Sequence, residues 1–204
     1  MTESAAPPLR GLAEALGREF RSLDEAAREL RPLAAEGLGT DIDYESIADE
    51  LGDDAWDLGA DLVEAWFDET ARRIAACRGE GGALRLYRVM RLPDVDDFVA
   101  RTAVLGVGCH WTTTQERASS DYDTGQLAEG SDVLLVADAP ESSVDWFTTF
   151  QAALAHPGEH EVTVGGPLRL LEVLGVGGEA IWRPGAVVPS WGYQPPDPGA
   201  PRGP

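Results

Sequence analysis

Leu84-Arg85-Leu86-Tyr87-Arg88-Val89-Met90 is where the chain changes texture. Apolar residues alternate along it, and side chains of a β-strand alternate with that period. Gly81-Gly82 stands just before the stretch and Pro93 closes it. Upstream, apolar residues recur at three and four, the spacing of helix faces. Downstream, strand-like runs alternate with short helical ones. Helices first, then strands with short helices, is the pattern of an α+β domain with a helical N-terminal region. The expected division is a helical region over 1–82, an α+β domain over 83–183 and a Pro/Gly-rich tail over 184–204. The tail is expected to be extended or without fixed structure.

In the helical region, Leu9, Leu12, Leu16 and Phe20 line one face. Ser22 followed by Glu25 predicts a capping box. The helix it opens is expected to reach about Gly37, with Pro32 kinking or splitting it. Residues 41–52 read as a short helix. Asp53 or Asp54 then caps the longest one, where Trp56, Leu62, Val63, Trp66, Phe67, Thr70, Ile74 and Cys77 form a broad stripe. Such a stripe is a core face before it is a ligand site.

Beyond Pro93, Asp94 predicts the cap of a helix over 94–101. Residues 105–113 read as a second strand, loosened by Gly106 and Gly108. A helical turn is expected over 114–119, a loop over 122–130 and a buried strand over 133–137. Ser143 is the expected cap of a helix carrying Val144, Trp146, Phe147, Phe150, Ala153 and Leu154. Glu159-His160-Glu161 then leads into the β-branched run Val162-Thr163-Val164, and strands are expected over 168–174 and 179–182.

The chain has 204 residues and a net charge of −20. That charge repels phosphate backbones and acidic lipid surfaces, so neither nucleic acid nor a membrane is the expected partner; a basic protein is. All sixteen cations are arginine. No early apolar segment reads as a secretory signal and no apolar run approaches the ~20 residues of a membrane span, so a cytoplasmic protein is expected. Cys77 and Cys109 stand apart, as do His110, His156 and His160. No metal-ligand spacing is present, and no metal is expected. The cysteines are expected to be buried small apolar groups, the histidines structural or surface residues.

Glu159 and Glu161 would share a face if both lay on a strand. Two adjacent carboxylates can raise one pKa or bind a shared cation, or can simply be an exposed strand end in an acidic protein. Arg88, the hydroxyls of Thr112 and Thr113, and the Glu pair thus fall on three separate strand-like segments. Arginine, then hydroxyl, then paired glutamate, in that order, resembles the arginine–serine–glutamate clade of mono-ADP-ribosyltransferases. The flanks Val144-Asp145-Trp146 and Pro157-Gly158-Glu159-His160-Glu161-Val162-Thr163-Val164 look like its phage and actinobacterial branch. The resemblance covers roughly residues 84–175. Trp111-Thr112-Thr113-Thr114 stands where the family has Ser-Thr-Ser.

The resemblance implies an ADP-ribosyltransferase-like split β-sheet, with NAD as substrate. A carboxylate beside the ribose stabilises the oxocarbenium-like cation that forms as nicotinamide leaves; this role falls to Glu161. Glu159 would orient or deprotonate an acceptor, implied to be an arginine of a protein. Thr113 would hydrogen-bond Glu161, with Thr112 beside it. Arg88 and its neighbour Tyr87 would contact NAD, the guanidinium suiting a pyrophosphate or ribose. Trp111 would stack on nicotinamide. Two alternatives stand beside the transferase: an NAD glycohydrolase, and an inactive acidic module of the same fold that binds a basic partner.

Overall fold

The computed structural model describes residues 19–34, 55–79, 81–92, 94–120, 131–155, 158, 160–175 and 178–190. The helices expected over 41–52 and over most of 9–20, the loop over 122–130, Glu159 and residues 191–204 lie outside them. Among the described residues the helices are α1 (Leu23–Leu33), α2 (Ala55–Ala76), α3 (Val95–Leu105), α4 (Gln115–Ser120) and α5 (Trp146–Ala155). The strands are β1 (Ala83–Leu92), β2 (His110–Thr112), β3 (Ser131–Pro140), β4 (Glu161–Thr163), β5 (Leu168–Gly175), β6 (Ala180–Trp182) and β7 (Ala186–Val188). The architecture is mixed α/β, with one antiparallel sheet in the order β4-β2-β1-β3-β5-β6 and β7 also pairing with β5.

The alternating stretch that opens the sheet is paired with β3 along its whole length, from Ala83 opposite Pro140 to Leu92 opposite Ser131. Its buried row is Leu84, Leu86, Met90 and Leu92, facing Ala139, Ala137, Val133 and the same core. Val136 and Leu134 of β3 are buried on the opposite face, so this strand is covered on both sides. A continuous run such as Val133-Leu134-Leu135-Val136-Ala137 suits that position, since neither face meets water.

The helices share the sheet's core. Leu23, Ala26 and Leu30 of α1 and Val63, Phe67 and Ile74 of α2 belong to the same buried cluster as Leu86, Leu135 and Phe150. Phe67 stacks on Phe150 of α5 with centroids 4.0 Å apart and planes 15° from parallel. Glu141, in the turn after β3, ties the two parts together. Its carboxylate accepts the Leu23 N–H at 2.7 Å and the Arg78 Nε–H at 2.6 Å. The Leu23 amide is one of the helix N-terminal donors that no carbonyl of α1 can satisfy.

Some local expectations hold and others meet a different outcome. Ser22 caps α1, taking the Glu25 N–H at 3.2 Å, and Pro32 sits in the last turn, where the helix runs on to Leu33. The helix capped by Asp94 extends to Leu105 rather than 101. The strand expected from 105 starts only at His110, because Gly106 and Gly108 take φ of 75° and 87°. Left-handed backbone cannot continue a ladder. Asp145, not Ser143, caps α5: its carboxylate accepts the Thr148 N–H at 3.0 Å, while the Ser143 hydroxyl donates to the Pro167 carbonyl. The Pro/Gly-rich segment begins extended, and its Ala186–Val188 pairs with β5.

Candidate active site

β1, β2 and β4 lie side by side, so residues far apart in sequence become neighbours. Tyr87 is opposite Thr112, and Thr112 is opposite Glu161. Residues paired across an antiparallel ladder point to the same face. Tyr87, Thr112 and Glu161 therefore form one row across three strands. By the same alternation Arg88 belongs to the other face, with Leu84, Leu86 and Met90.

Glu161 opens β4, its side chain 21% exposed. Its Oε1 meets His110 Nδ1 at 2.5 Å and accepts the Thr163 hydroxyl at 3.2 Å. His110 and Thr163 are themselves opposite each other, so the carboxylate is clasped from its own strand and from the next. The His110 side chain is 60% exposed. His160, just before the strand, has φ of 55°, and its carbonyl accepts the Thr113 N–H at 3.3 Å. A non-glycine residue in left-handed backbone marks a turn. The strand alternation expected to carry Glu159 and Glu161 on one face stops here, and Glu159 lies outside the described residues.

Arg88 reaches β2 from its own strand. Its Nη1 donates to the His110 carbonyl, and the guanidinium lies on the backbone of Gly108. A Cβ on Gly108 would stand 2.7 Å from Arg88 Cζ, so only glycine admits this approach. The Gly108 carbonyl accepts the Trp111 indole N–H at 2.9 Å.

Two expected ligand contacts give way to core roles. Trp111 is 2% exposed with its N–H engaged, so it is a core residue and presents no face on which nicotinamide could stack. Thr113 is 5% exposed and follows β2; its Oγ1 has no hydrogen-bond partner among the described residues. The bond read for Thr113 to Glu161 is not formed, and Thr112 is the threonine beside the glutamate. Cys77, at the end of α2, packs behind this segment with Sγ 3.4 Å from the Thr113 carbonyl. Burial pushes its thiol pKa up, with the Arg73 cation pulling part of the way back, so it is no ready nucleophile.

No family model, curated protein or solved structure matches this chain.

A cleft of about 500 Å³ lies at the far end of β4, between Glu19, Phe20, residues 142–148 and Gly165-Gly166. Neither Arg88, Thr112 nor Glu161 lines it. Among the described residues no three His, Cys, Asp or Glu side chains are placed to share a metal ion, and no helix is long and apolar enough to cross a membrane. His110 is the site residue that sequence reasoning missed. Its spacing to Thr112 was visible, but its place against Glu161 depends on the pairing of β2 with β4. What the arrangement offers chemically is a partly exposed carboxylate held by one oxygen, a hydroxyl-bearing strand beside it, and a guanidinium fixed two strands away on the other face of the sheet.

Proposed function

We propose that this chain is an NAD-dependent mono-ADP-ribosyltransferase that modifies an arginine of a basic protein. The observation that supports it best is the adjacency of β1, β2 and β4. The order arginine, hydroxyl, glutamate, spread over 73 residues of sequence from Arg88 to Glu161, becomes three neighbouring strands with Thr112 directly opposite Glu161. The finer fold in this reading is the split sheet of the ADP-ribosyltransferases.

The reaction breaks the bond between ribose C1′ and the nicotinamide nitrogen. The bonding pair leaves with nicotinamide and neutralises its ring nitrogen, and the ribose carries the positive charge. Glu161 stands beside that sugar, accepts a hydrogen bond from a ribose hydroxyl and stabilises the cation. Arg88 supplies a fixed positive charge, without which a protein at −20 would repel a pyrophosphate. An acceptor guanidine nitrogen then bonds to C1′ and gives up a proton, and Glu159 is the base the resemblance assigns. With Trp111 in the core and Thr113 making no bond to Glu161, the groups left to this reading are Glu161 and Glu159, with Thr112 opposite Glu161 and Arg88 acting from the other face of the sheet.

The acceptor is tested by incubating the protein with NAD and an arginine-rich peptide and weighing the product. An ADP-ribose adduct on arginine is expected, and its loss with Glu159→Gln while nicotinamide release continues would support the division of labour. Release of free ADP-ribose with no adduct on any arginine peptide would replace the transferase by a glycohydrolase.

A further inference from the structure

We propose that His110 is a positioning residue for Glu161, holding the carboxylate by Oε1 so that Oε2 is the oxygen presented to the ribose. The inference rests on the reading of Glu161 as the NAD-cleaving carboxylate. A glutamate side chain has three rotatable bonds, and a carboxylate that must meet a transient cation gains from having them fixed beforehand. The resemblance gives this task to a hydroxyl, but the Thr113 Oγ1 is buried and makes no such bond. Among the described residues the contacts to this carboxylate are His110 Nδ1 at 2.5 Å and Thr163 Oγ1 at 3.2 Å. Both fall on Oε1 and neither on Oε2.

His110 is itself held. Its carbonyl is bound by Arg88, its backbone is paired with Thr163, and Val164 donates to the carbonyl of the preceding Cys109 at 2.8 Å. One residue thus links the guanidinium, through its backbone, to the carboxylate, through its ring. The imidazole is largely exposed, so substituting it removes a contact to Glu161 and little packing.

The test is steady-state nicotinamide release by wild type, His110→Ala and His110→Asn, with melting temperatures alongside. An asparagine amide nitrogen stands close to where Nδ1 stands and donates in the same direction. His110→Ala is expected to lower kcat about tenfold to a hundredfold, with KM for NAD within about twofold and the melting temperature unchanged. His110→Asn is expected to recover most of kcat. An unchanged kcat in His110→Ala, or equal losses in the alanine and asparagine variants, would overturn the inference alone. A wild-type protein that releases no nicotinamide would overturn it together with the functional reading beneath it.

Discussion

The Arg88 guanidinium rests on the backbone of Gly108, close enough that a methyl group there would stand 2.7 Å from Cζ. Gly108 also has φ of 87° and holds the Trp111 indole through its carbonyl. Gly108→Ala therefore meets strained backbone and a displaced arginine at once. The expected cost is about 1–3 kcal/mol of stability, read from denaturant unfolding. KM for NAD is expected to rise in the same variant, because the guanidinium loses its seat.

Glu141 fastens the helical region to the sheet. Its carboxylate serves Leu23 N–H and Arg78 together, and its side chain is only 12% exposed. Glu141→Ala leaves a helix N-terminal amide without its acceptor and the Arg78 guanidinium with Asp24 in place of two carboxylates. A loss of about 1–3 kcal/mol is expected, measured by thermal unfolding, and Arg78→Met combined with it is expected to cost less than the two single losses added.

Much of the framework was legible because it depends on neighbours in sequence. Ser22 and Asp94 cap helices as expected, Ser22 at the spacing to Glu25 that a capping box implies. The Phe67, Thr70 and Ile74 stripe is buried. The alternation around Tyr87 is β1. What was not legible depends on long-range pairing. Which threonine faces Glu161 is settled by one residue of register, which sends Thr112 and Trp111 to opposite faces. The contact of His110 with Glu161 spans 51 residues and has no local signature. The left-handed His160 breaks an alternation that its sequence gave no reason to doubt. Ala186–Val188 lacked a strand's length, and only the open edge of β5 makes it one.

Cys77 gives a pH signature. Burial raises its thiol above the ordinary value of 9.0, so the unfolded chain ionises first. The stability this contributes is complete below that ordinary value and falls as pH climbs toward the higher folded one. Melting temperature is expected to decline more steeply above about pH 9 in wild type than in Cys77→Ala. Parallel curves would show that the thiol contributes nothing in this window.

Nicotinamide release from NAD by wild type and Glu161→Gln, measured side by side on folded protein, decides whether Glu161 is the carboxylate that cleaves NAD. Glutamine keeps the shape and a hydrogen-bonding oxygen but removes the charge that meets the ribose cation. Wild type is expected to release nicotinamide, and Glu161→Gln to do so about a hundredfold or more slowly with little change in NAD affinity. Equal rates from the two proteins, or no release by wild type with an arginine acceptor present, would contradict the assignment of Glu161 and with it the enzyme.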